Sequence, residues 1–188
     1  MTEAEFIAIV LRNPVNAAIL DRLPSLKLPD AWLVSGALSQ TVWNIRTGRE
    51  PRYGIRDHDI FYFDLDTSYE AEDAAISSCR NAFSDIPATI EVRNQARVHL
   101  WYEQKFGAPY PPLTKASDGI DRFLMPSAQV GIRRSGDGYE VYAPAGFDDL
   151  ENMVVRPNIT ANFQAARYHE KAARWQALWP ELTVIPAL

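Results

Sequence analysis

Arg56-Asp57-His58-Asp59-Ile60-Phe61-Tyr62-Phe63-Asp64 is the stretch on which the reading of this chain turns. The run from Asp59 to Leu65 is rich in aromatic and β-branched residues and predicts a strand. Asp57 and Asp59 are two apart where the chain enters it. Side chains alternate across a strand, so both carboxylates point to the same side. Two like charges held that close raise each other's pKa unless a cation lies between them, and hard divalent ions such as Mg²⁺ or Mn²⁺ prefer oxygen ligands. Asp64 and Asp66 have the opposite parity and are not counted as ligands. A third acid, Glu91, lies in the next predicted strand, Thr89 to Arg93, where a charge between apolar neighbours calls for a reason.

Upstream, Ala31-Trp32-Leu33-Val34-Ser35-Gly36 reads as a short buried strand ending at a glycine, and Ala37 to Arg46 as a helix. Gly36 and Ser39 therefore flank a strand-to-helix turn of the kind that can seat phosphate. Glycine lets the backbone approach, the helix N-terminus offers free N–H groups, and a serine hydroxyl adds a donor. Downstream, Tyr69 to Ala82 reads as a helix with acids in its first turn, and Arg97 to Phe106 as a helix that Asn94 is placed to cap. His99 belongs to its packing face. The Pro-rich loop after Gly107 places Tyr110 where it can close over a base. Gln129 to Arg134 and Tyr139 to Ala143 flank a glycine-containing connection and predict a hairpin, and Asn162 to Trp179 predicts a final helix stopped by Pro180. Thr2 to Asn13 and the turn opened by Pro14 make a helical entry. The five tryptophans sit among apolar neighbours and read as core anchors.

The chain has 188 residues, 47% of them hydrophobic, and a formal net charge of −5. That length supports one compact unit over residues 1–188, with a core at about 30–110 and a C-terminal extension at about 111–188. The succession of elements describes an α+β fold, a small mixed β-sheet flanked by helices. The modest, mixed-sign charge excludes the basic footprint of a protein that grips nucleic acid without sequence preference. Cys79 is the sole cysteine, which excludes a disulfide framework or a Cys-based zinc cluster; it reads as a small buried helix residue. With no basic leader and no apolar run of membrane-spanning length, the expectation is a soluble, cytoplasmic protein with no membrane partner.

A glycine and a serine after a first strand, followed by Asp-x-Asp entering a second, resemble the polymerase-beta-type nucleotidyltransferase superfamily. Further strings resemble a small bacterial family of nucleotidyltransferase-like proteins within it: Val42-Trp43-Asn44, Val92-Arg93-Asn94-Gln95-Ala96-Arg97-Val98-His99, Asp148-Asp149-Leu150 and Val155-Arg156-Pro157-Asn158. The likeness runs from about Trp32 to Pro180. It implies the polymerase-beta-type core with a C-terminal hairpin and helix, and a metal-dependent site. Asp57 and Asp59 match the metal-binding acids, Glu91 the third acid by strand order, and Gly36 and Ser39 the phosphate-side residues. Ala37 and Leu38 depart from the superfamily, which places a second small residue directly after the glycine. Arg46 to Arg56 is an insertion relative to it.

The expected reaction moves a nucleoside monophosphate from a nucleoside triphosphate to a hydroxyl acceptor that the sequence does not name, with Arg93 and Arg97 as candidate phosphate clamps. Two alternatives stand beside it. One is a nucleotide- or partner-binding module of the same fold that has lost efficient chemistry. The other is an aspartate-dependent phosphatase, disfavoured because its acids follow a hydrophobic strand, whereas here they precede Ile60-Phe61-Tyr62-Phe63.

Overall fold

The computed structural model describes residues 1–188. Two helices, α1 (Glu3–Val10) and α2 (Pro14–Arg22), open the chain. Each has a local reason to start where it does. Thr2 and Glu5 close a reciprocal capping box on α1, and the Asn13 carboxamide accepts from the Val15 N–H ahead of α2, with Pro14 in the first turn. Then follow β1 (Trp32–Val34), α3 (Gly36–Arg46), β2 (Asp57–Tyr62), α4 (Tyr69–Ala82) and β3 (Thr89–Asn94). After these come the short helices α5 (Tyr102–Phe106) and α6 (Ala116–Ile120), the hairpin β4 (Gly131–Ser135) and β5 (Gly138–Tyr142), and α7 (Asp148–Glu151). The chain ends with β6 (Val154–Val155), α8 (Ala165–Leu178) and β7 (Thr183–Val184). No helix is long and apolar enough to cross a membrane.

The main sheet is mixed, in the order β3-β2-β1-β4-β5, with β2 and β3 parallel and the other pairs antiparallel; β6 and β7 form a separate parallel pair. Two strands of the sheet thus come from the residues after 111, and they extend it beyond β1. α4 makes the crossover that a parallel pair requires, started by Ser68, whose hydroxyl accepts from Ala71 N–H.

The two faces of the sheet differ. Leu33, Ile60, Tyr62, Val92 and Ile132 point back into the main core, where α3 is buried from Gly36 to Asn44. Its Trp43 meets Trp175 and Trp179 edge-on at 5.1 and 5.6 Å, a favoured aromatic geometry. Next to it Asn44 accepts from the Trp179 indole (2.8 Å) and donates to the carbonyls of Pro51 and Tyr53, so one buried amide ties the 46–56 insertion to the C-terminal helix. Trp43, Trp175 and Trp179 are buried anchors as the sequence predicts, whereas Trp101 lines a cavity.

The front face is divided. α6 covers its β1 half, where Ala116 and Ile120 pack on Trp32 and Val34. Its β2–β3 half carries Asp57, Asp59, Glu91 and Arg93; there Gly119 of α6 comes against Phe61 of β2, and Lys171 of α8 faces the half-buried Asp59.

Several predicted boundaries move. β2 ends at Tyr62 because the Phe63 N–H leaves the ladder for the Pro29 carbonyl (2.9 Å). The helix expected over Arg97 to Phe106 is instead a 3-10 turn, Val98–Leu100, followed by α5. Asn94 does not cap it. Its carboxamide accepts from Asp64 N–H (3.0 Å) and Ala96 N–H (3.1 Å) and donates to the Asp64 carbonyl (2.9 Å), which clasps the ends of the two parallel strands. α8 begins at Ala165, since Asn162 is drawn away to donate to the Arg122 carbonyl.

Candidate active site

Asp57 and Asp59 stand half-buried on the β2–β3 half of the front face. Cross-strand register sets Asp59 opposite Glu91 in β3 and opposite Val34 in β1, so the acids occupy the middle of the sheet beside the β1–α3 turn. His58, between them, points to the back and is buried; that burial pushes its imidazole down to about 4, so it serves as neutral filling. Asp59 moves the other way. Burial, with the charges of Asp57 and Glu91 adding to it against Lys171 and Arg93, raises its carboxyl from 3.8 to about 7. The Glu91 carboxylate leans on Arg93 at 3.4 Å and is exposed. No three His, Cys, Asp or Glu side chains converge closely enough to form a metal cage in this conformation. The donors that fit a hard divalent ion are Asp57 and Asp59, two carboxylates on one face whose mutual repulsion a cation would relieve.

The β1–α3 turn is built differently from the expected one. The left-handed residue is Ser35, at φ 61°, not Gly36. A serine there is strained, and it is pinned by its N–H to the Val130 carbonyl at 2.8 Å. Gly36 follows as the first residue of α3, whose start has no side-chain cap; a methyl group on it would come within 2.9 Å of the Gln40 amide nitrogen. Ser39 does not join the site. Its hydroxyl is fully buried and donates to the Ser127 carbonyl at 2.6 Å, because α3 has turned that side of the helix inward.

Arg97 is likewise engaged elsewhere. It donates to Glu72 at 2.9 Å and to the Ser68 carbonyl, with both side chains of the ion pair largely buried, and so ties the turn after β3 to α4. Arg93 reaches the front face. It lines a cavity of about 460 Å³ together with Gln95, Trp101, Tyr110 and Phe123. Tyr110 packs against Tyr102 in that lining, at 4.5 Å between ring centroids. Gly119 forms part of the wall because the Gln95 carboxamide and the Phe61 ring leave no room for a side chain there.

The feature that sequence reasoning missed is the charge of this cavity. Arg56, Arg122, Arg167, Lys171 and Arg174 line it besides Arg93, and Glu170 is its one acidic residue. None of those five makes an ion pair with a carboxylate. Arg167 is held by other means: it donates to the Tyr102 hydroxyl at 2.7 Å and lies 3.9 Å over the Phe106 ring, a stacking suited to a planar guanidinium. Lys171 is pulled below its ordinary value by burial, opposed chiefly by Asp59. A signal was present in the sequence. Arg167, Lys171 and Arg174 recur at i, i+4 and i+7, a single helix face, adjacent to the face on which Tyr168, Ala172 and Trp175 enter the core.

Residues 21–184 match a family model described as nucleotidyltransferase. The fold is similar to that of a solution structure reported in the words "The NMR structure of the protein reveals a CCA-adding enzyme head domain". The TM-score is 0.79 at 25% identity, over 99% of this chain and 97% of the other. No curated protein sequence matches the chain.

Proposed function

Since this chain belongs to the nucleotidyltransferase family, we propose that it transfers a nucleoside monophosphate from a nucleoside triphosphate to an acceptor hydroxyl, with Mg²⁺ or Mn²⁺ held by Asp57 and Asp59. The observation that carries this reading is the placing of both aspartates on one face of β2, with Asp59 in register with Glu91 and facing Lys171. Glu91 would supply a third oxygen donor on turning from Arg93. A cation bound there supplies charge neutralisation on the phosphates and lowers the pKa of the attacking hydroxyl.

The residues of the chain do the rest. Arg93 and Lys171 offer donors to the triphosphate, and the start of α3 at Gly36 presents backbone N–H groups from its uncapped first turn. The acceptor oxygen bonds to the α-phosphorus as the bond to the β-phosphate oxygen breaks, and that electron pair leaves with pyrophosphate. The hydroxyl proton passes to Glu91, which is exposed and can return it to water. Ser39 and Arg97 have no part in the reading, given their inward partners.

The test is incubation with α-labelled triphosphates and Mg²⁺ or Mn²⁺ in cell extract, scored by mass analysis of labelled products. Asp57→Asn/Asp59→Asn should lower transfer on the order of a thousandfold, the several kcal/mol of metal stabilisation converted at 1.36 kcal/mol per tenfold. Metal-dependent triphosphate binding that is unchanged in that variant would sink the metal assignment. Tight binding with no turnover for any of the four nucleotides would favour the binding-module alternative, which the outward lean of Glu91 supports.

A further inference from the structure

The cavity beside the acids is lined by more cationic side chains than acidic ones. Its six cations face one lining carboxylate, Glu170, in a chain whose net charge is −5, so the concentration is local and not a product of composition. Lys171 and Arg93 are the two that act on Asp59. That leaves Arg56, Arg122, Arg167 and Arg174 with no ion-pair partner of their own. A divalent ion bound with a triphosphate would cancel part of its charge, and the phosphates would then lie at Asp57 and Asp59, which are not among the residues that line this cavity. Arg167 and Arg174 are seven residues apart on α8, about 10 Å along its axis, with Lys171 between them. The helix therefore presents guanidinium groups on both sides of the residue nearest the acids.

Arg167 is also ordered in advance. Its bond to the Tyr102 hydroxyl and its stacking on Phe106 fix the plane of the guanidinium, leaving the remaining N–H groups for the cavity. A fixed, planar fork without a carboxylate partner suits a phosphate. Tyr110 adds an aromatic wall on the same side, able to hold a flat ring.

We propose that the acceptor is itself a phosphate-bearing molecule, its phosphate seated on Arg167, Arg122 and Arg174 while its hydroxyl lies at the acids. This inference rests on the nucleotidyl-transfer reading of the same site. The phosphate can belong to a small metabolite, such as a nucleotide, or to the 3′ end of a nucleic acid. The shared chemistry is a hydroxyl and a phosphate on one molecule.

The experiment is calorimetric titration of the wild-type protein, first saturated with Mg²⁺ and a non-hydrolysable triphosphate analogue, with adenosine 5′-monophosphate, adenosine and a short oligoribonucleotide ending in a free 3′-hydroxyl. The expected result is that the monophosphate or the oligonucleotide binds at least about tenfold more tightly than adenosine, the effect of one charge-assisted hydrogen bond or more. That binding should weaken with salt. Arg122→Gln/Arg174→Gln should lose it by about tenfold while holding the triphosphate analogue as the wild type does, which also shows that the variant is folded. Binding by the oligonucleotide alone assigns the phosphate to a nucleic acid end, and binding by the monophosphate to a small acceptor. Equal affinity for adenosine and its phosphate overturns the inference and leaves the transferase reading standing. Loss of the analogue together with the phosphate ligand overturns it as well, because the arginines then belong to the donor nucleotide. Failure of the wild type to bind the analogue at all removes the transferase reading and this inference with it.

Discussion

Replacing Asp59 by Asn should stabilise the metal-free protein above neutral pH and abolish its response to metal. The carboxyl is raised from 3.8 to about 7 by burial and by the charges of Asp57 and Glu91, against Lys171 and Arg93. A folded-state pKa above the unfolded value means that the fold binds the proton more tightly than the unfolded chain does. Relative to high pH, the contribution is present in full below about 4 and is lost as pH rises to 7. At 1.36 kcal/mol for each pH unit, the cost of ionisation in the folded state has a ceiling of about 4 kcal/mol. Lys171 loses its chief opposite charge in the variant, which offsets part of the gain. The net expectation is about 2 kcal/mol, or roughly 4–8 °C in melting temperature for a chain of this size.

The assay is thermal unfolding followed by circular dichroism in a chelator between pH 4.5 and 8.5. The gap between Asp59→Asn and wild type should open as pH rises to 7 and stay level above it. Added Mg²⁺ or Mn²⁺ should then raise the wild-type midpoint and leave the variant unmoved, since only a ligand of the native state stabilises it. A variant less stable than wild type at pH 8 without metal, or a gap independent of pH, would refute the reasoning that burial, with Asp57 and Glu91 beside it, holds the Asp59 carboxyl high.

Further outcomes separate structural residues from those of the site. Ser39→Ala removes a buried hydroxyl bonded to the Ser127 carbonyl and should cost about 1–2 kcal/mol in urea unfolding, with triphosphate affinity unchanged at permissive temperature. Arg97→Met leaves Glu72 partly buried and unpaired; a loss of about 3 kcal/mol is expected, again with no specific effect on nucleotide binding. Ser35→Gly relieves a serine at φ 61°, and a gain of about 1 kcal/mol in the same unfolding assay follows from the strain it carries. Lys171→Met removes the ammonium that lies 4.8 Å over the Trp175 ring and faces the acids; titration with a triphosphate analogue should show affinity down about tenfold or more.

Much of the site was legible because it depends on short-range rules. The parity of Asp57 and Asp59 follows from strand alternation, and Glu91 shares their face because parallel pairing brings it level with Asp59. The helix Tyr69–Ala82 lies where its caps and acids put it. The failures have physical causes as specific as the successes. Ser39 is three residues beyond a turn, and whether its hydroxyl faces solvent or Ser127 depends on how α3 is rotated against a segment 88 residues away. Arg97 could be assigned to phosphate only while Glu72 was unknown as its neighbour.

By itself, the sequence determined the strand bearing the two aspartates, the helix that crosses to the next strand, and the family to which the chain belongs, because periodicity, capping residues and motif strings are local. Only the tertiary structure decided that a hairpin beyond residue 130 would extend the sheet past β1, and that α6 would pack on the front face against Trp32, Val34 and Phe61. It also decided that Arg167, Lys171 and Arg174 would be brought to the cavity beside those acids. A helical pattern says which residues share a face, but what that face meets depends on packing between segments more than a hundred residues apart, as where the Trp179 indole meets Asn44.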